Sequence, residues 1–100
     1  MYRVTAMIKD GEITTKTIHF RYKETPVAYS ILFDDGRLMD NVKKESVGVA
    51  FDYGKKGQFE IYPQIMWTFN PEEAEQILII RVREEIQKRL DYVDSIKHLI

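Results

Sequence analysis

The sequence predicts an α+β fold: an antiparallel β-sheet of about five or six strands, built from hairpins, with one long C-terminal helix packed on one face. Three observations predict it. Short runs of alternating apolar residues recur up to Phe69, the period of half-buried strands. Two Asp-Gly dipeptides, Asp10-Gly11 and Asp35-Gly36, fall between such runs, where hairpins turn. From Asn70 to the last residue there is no glycine, and the one proline, Pro71, stands at the start. The whole chain, residues 1–100, reads as a single domain, with the sheet region in 1–69 and the helix in 70–100.

In the first run Tyr2, Val4, Ala6 and Ile8 share one face and Arg3, Thr5 and Lys9 the other. A type I′ turn at Asp10-Gly11 sets Lys9 opposite Glu12 and Ile8 opposite Ile13. The return strand carries Ile13, Thr15 and Thr17 on the core face, then changes phase to Ile18, Phe20 and Tyr22. A β-bulge near Thr17-Ile18 is expected, because it restores the apolar face. Thr25-Pro26 ends that strand. Val27, Tyr29, Ile31 and Phe33 alternate next, and the turn at Asp35-Gly36 sets Phe33 opposite Leu38. The short, polar return from Leu38 to Val42 suits a sheet edge. Val47, Val49, Phe51 and Tyr53 form a further alternating run, which ends at Gly54-Lys55-Lys56-Gly57. In the last run Phe59, Ile61, Ile65, Trp67 and Phe69 share the core parity, beneath the helix, while Tyr62 and Met66 point outward. Pro63 cannot donate to a ladder, so an edge position or a bulge is expected there.

Asn70 suits the helix N-cap, Pro71 the first turn, and Glu72 and Glu73 the positive end of the dipole. Glu84 with Lys88 and Glu85 with Arg89 are i,i+4 pairs in the favourable order. Leu78, Val82, Ile86, Leu90, Val93 and Ile96 or Ile100 form the core stripe. The run Ile77–Val82 is rich in β-branched residues and reads alternatively as a strand. The cap before it and the Glu/Lys/Arg-rich stretch after it favour one helix.

A helix over 70–100 is about 45 Å long, against roughly 33 Å for the diameter of a compact domain of this size. It therefore overhangs the sheet or kinks. Ile77 and Ile80 add a second apolar face, and the distal end is apolar at Tyr92, Ile96, Leu99 and Ile100. These six residues are the expected interface, and a two-fold homodimer is the expected assembly. Tyr62, Met66, Lys55 and Lys56 are further candidate contact residues.

Composition narrows the function. Net charge is −1, with ten Lys/Arg against nine Asp/Glu in residues 1–69 and five against seven in 70–100. Neither part resembles a basic nucleic-acid module. There is no cysteine, hence no disulfide, no thiolate catalysis and no Cys-based metal site. That fits a cytoplasmic protein. The first residues lack the apolar run of a signal peptide, and Ile77–Ile80 is far too short to span a membrane.

Chemistry is sparsely represented. His19 and His98 lack metal spacing, and Asp34, Asp35, Asp40 and Asp52 do not match a calcium loop. Gly54-Lys55-Lys56-Gly57 lacks the spacing of a phosphate loop and has no helix after it. Ser30, Ser46 and Ser95 have no nucleophile-elbow context. No cofactor is expected and the protein is not expected to be an enzyme. The expected role is a small protein-binding accessory domain, of the kind phages and other mobile elements use to inhibit a host protein. The alternative is nucleic-acid binding through a sheet face or the Lys55-Lys56 tip.

Overall fold

Local sequence explains most of the elements in the computed structural model, which describes residues 1–52 and 61–97. Strands β1 (Tyr2–Lys9) and β2 (Glu12–His19) form the first hairpin. Asp10 and Gly11 both have positive φ, 52° and 79°, as a type I′ turn requires. Lys9 faces Glu12 and Ile8 faces Ile13. The expected bulge at Thr17-Ile18 is absent. Pairing runs unshifted to Tyr2 opposite His19. The phase change has another cause: at Phe20 the chain leaves this sheet, and its next strand belongs to a second one.

That second sheet contains β3 (Arg21–Glu24), β4 (Ala28–Leu32) and β5 (Leu38–Lys43), in the order β3-β4-β5. Thr25 closes the β3–β4 turn, its hydroxyl donating to Ala28 O at 2.9 Å. The β4–β5 loop is one residue longer than the expected register implies. Phe33 N donates to Arg37 O, Gly36 N to Phe33 O, and only Gly36 has positive φ, 87°. This is a type I turn closed by a left-handed glycine. Leu32, not Phe33, consequently faces Leu38, and a bulge falls at Ile31/Leu32.

A 3-10 turn over Lys44–Ser46 leads to the short β6 (Phe51–Asp52). Val47 and Val49 lie outside any strand, because Gly48 turns there with φ 80° and donates to Trp67 O at 2.7 Å. Strand β7 (Gln64–Thr68) pairs with β1 and β6, giving the order β2-β1-β7-β6. The described residues thus form two antiparallel sheets, of four and three strands, plus one helix. The helix, α1 (Pro71–Lys97), runs unbroken through Ile77–Val82, so the strand reading of that run is ruled out.

Asn70 caps α1. Its Oδ1 accepts from Glu73 N at 3.3 Å, and its Nδ2 donates to the Glu73 carboxylate at 3.1 Å. Asn70→Ala is expected to cost about 1 kcal/mol in urea denaturation, with Asn70→Asp close to wild type.

Two cores result. Val4, Ala6 and Met66 meet Ala74, Leu78 and Val82 between the four-stranded sheet and α1. Met1, Ile31, Val42 and Trp67 form the second, with Phe20, Tyr29, Met39, Val47 and Phe51 at its margin. The parity expected for the last strand is therefore inverted. Met66, expected outward, is buried beneath the helix, whereas Trp67 packs in the second core. Phe69, expected under the helix, stands half-exposed against Tyr22 and Tyr29 at 5.4 and 5.2 Å between ring centroids. All five residues of β7 are buried. A strand covered on both faces offers no polar side by which to orient it.

The molecule is elongated. Its extents are 57 × 24 × 22 Å and its radius of gyration is 16.5 Å, above the roughly 13 Å of a compact chain of this length.

Candidate interaction surface

α1 begins beside Thr68, runs antiparallel to β7, and continues past the described strands. Its buried residues are Ala74, Leu78 and Val82, and Ile86 packs at the edge of the same core. Beyond Ile86, the eleven residues from Gln87 to Lys97 extend about 16 Å. Leu90 is 53% exposed there, and Tyr92 and Val93 are exposed as well. The expected core stripe thus splits. Its first half is buried and Leu90 and Val93 are not; they lie beyond the described strands beneath α1.

The sequence-predicted interface residues do not form one face. At about 100° per residue, Ile80 and Ile96 stand roughly 160° apart around the helix. Ile96 is half-buried and Tyr92 exposed, both turned to the side of the helix that carries Leu78. Ile80, 53% exposed, lies on the far side. Ile77 is exposed at the rim of a cleft lined by Gly48, Met66, Asn70 and Ala74. Tyr62 is half-buried. Lys55, Lys56, Leu99 and Ile100 lie outside the described residues. Leu90 and Val93 are the surface residues that sequence reasoning assigned to the core. The length comparison held the signal that could have placed them outside.

At the flank of α1 a polar clamp ties helix to sheet. The fully buried Gln64 accepts from Arg81 Nε at 3.0 Å through Oε1. Its Nε2 donates to the Asp52 carboxylate at 3.3 Å and to Tyr62 O at 3.4 Å. A buried amide with both ends bonded is stabilising rather than reactive. Lower down, Arg89 bonds Glu85 at 2.8 Å, as its spacing predicts, while Lys88 reaches Glu85 at 3.5 Å in place of Glu84.

Catalytic geometry is sparse. Among the described residues no three His, Asp or Glu side chains gather as metal ligands. The cleft between α1 and the sheet holds about 90 Å³, below the roughly 300–1,000 Å³ of small-molecule pockets. Two larger grooves are open and run along β5. One, of about 560 Å³, is lined by Thr25, Val27, Asn41 and Lys43; the other, of about 440 Å³, by Val42, Val49, Phe51 and Trp67. No described helix is long and apolar enough to cross a membrane. Burial lowers the pKa of the Met1 amino group, which donates to Phe20 O at 3.4 Å.

No protein-family model matches the chain, and neither a curated protein nor a solved structure is significantly similar to it.

Proposed function

We propose that this protein is a small protein-binding accessory domain that self-associates through the distal half of α1. The observation behind this reading is the continuation of the apolar stripe beyond the last strand. Val93 and Ile96 point to the same side of α1 as Leu78, beyond the last described strand. A second copy supplies an apolar surface beyond the described strands. Two distal halves laid antiparallel about a two-fold axis at Val93 bring Leu90 against the partner's Ile96. The contact is then apolar at each turn and isologous.

An overhang this short buries less than the roughly 800 Å² per partner of a standard interface. Association is therefore expected in the micromolar range. Sedimentation velocity from micromolar to millimolar concentration should show a reversible monomer–dimer equilibrium. Val93→Asp, exposed in the monomer, should leave thermal stability unchanged and shift dissociation at least tenfold. A chain that stays monomeric at millimolar concentration rules out self-association.

A further inference from the structure

Strand β2 lies at the edge of the four-stranded sheet, and its register shows which of its backbone groups face outward. Lys9 and Glu12 flank a two-residue turn and so exchange both ladder bonds. Alternation makes Met7–Thr14, Thr5–Lys16 and Arg3–Ile18 the other bonded pairs. The N–H and C=O groups of Ile13, Thr15, Thr17 and His19 therefore point off the sheet. An eight-residue edge strand with this many open groups is a template for an added strand.

The adjoining face of the hairpin selects what can be added. It carries a groove of about 260 Å³, lined by Arg3, Lys9 and Lys16 among threonines, Met7 and Ile18, with no carboxylate in the lining. Arg3 is held in place over the rings of Phe20 and Trp67, at 5.2 and 5.7 Å. The acid of β2 on this face, Glu12, stands opposite Lys9. A second copy fits poorly, since the register that opens most backbone bonds sets Lys16 against itself. Nucleic acid has no backbone N–H groups at strand spacing to meet the edge carbonyls, and of the two rings beneath Arg3, Trp67 is buried and Phe20 half-buried.

We infer that β2 is the docking edge for an extended acidic segment of a partner protein, added as a fifth strand. Acidic side chains at every second position lie beside Lys16 and the groove. The intervening ones, β-branched or small, lie beside Ile13, Thr15 and Thr17 on the α1 side. This rests on the protein-binding reading but not on self-association, because β2 and the distal half of α1 are separate surfaces.

The test is selection of peptides from a random twelve-residue library against the full chain. Enriched peptides should carry acids at alternate positions and shift the amide resonances of Ile13, Thr15 and Thr17. Thr17→Pro removes an outward N–H and leaves the β1 ladder intact. Lys16→Glu reverses the groove's charge without touching the backbone. Each should weaken binding at least tenfold, and Val93→Asp should not weaken it. The proposal is overturned if enriched peptides lack alternating acids or if Lys16→Glu binds them as well as wild type. It is equally overturned if Val93→Asp abolishes binding, or if a twelve-nucleotide oligodeoxythymidine binds more tightly than any peptide. A chain that binds the peptides yet never dimerises disproves only self-association.

Discussion

Replacing Leu78 by alanine is expected to cost about 2–5 kcal/mol, and replacing Leu90 by alanine less than about 0.5 kcal/mol. The two leucines stand about three turns apart along α1 and about 120° apart around it, and they differ in what lies beneath them. Leu78 is fully buried among Val4, Ala6 and Met66, so truncation leaves a cavity that a close-packed core fills only in part. Leu90 is 53% exposed beyond the described strands and loses little. The comparison should be made by urea denaturation at a protein concentration low enough to keep the chain monomeric. A loss above 2 kcal/mol in Leu90→Ala under those conditions means that the distal half of α1 is packed within the monomer. Repeating the measurement at high concentration separates the two roles, because dimerisation adds stability by mass action and Leu90→Ala removes that increment alone.

Trp67→Ala is expected to cost about 3–5 kcal/mol and to loosen the second sheet before the first. Trp67 projects from β7, which is in the four-stranded sheet, yet it packs against Ile31 and Val42 of the three-stranded one. Phe20 lies 5.5 Å from its ring. Met1, Phe51 and Phe69 also reach the second sheet, but Trp67 is the largest side chain in the shared core, so truncation removes a large part of the contact between the sheets. Hydrogen exchange on the variant should show β3, β4 and β5 amides exchanging faster, with β1 and β7 amides protected for longer. Trp67 is also the only tryptophan in the chain. In the wild type its emission should be blue-shifted and should move to the red together with exposure of the second sheet. A uniform loss of protection across both sheets means that they fold as one cooperative unit.

Much of the fold was legible because it depends on neighbours in sequence. The Asp10-Gly11 turn set its own register, since a two-residue loop with two positive-φ positions allows only one. Asn70, Pro71 and Glu73 marked the start of α1 by the same local logic. The Asp34-Asp35-Gly36 loop shows the limit. An Asp-Gly pair is compatible with loops of two or three residues, and here the three-residue form shifted Leu38 from Phe33 to Leu32.

The candidate surface was only partly legible. Sequence identified an apolar excess on α1 but grouped Ile80 with Tyr92 and Ile96, which stand on a different side of the helix. It assigned Leu90 and Val93 to a core that ends at Ile86. The edge position of β2 had no signal at all in its own residues. An edge strand is defined by which strand fails to arrive, and Thr-rich alternation reads the same in the middle of a sheet as at its rim.

Taken by itself, then, the sequence determined the antiparallel hairpins, the long capped helix, the α+β class and the mismatch between helix and domain length. Each follows from backbone preferences within a few residues or from simple lengths. Only the tertiary structure decided that there are two sheets rather than one, that Met66 and not Trp67 lies under α1, and that β2 is left open. All three turn on which surfaces cover a given strand. Where both faces of a strand are buried, as in β7, the alternation that distinguishes inside from outside no longer exists.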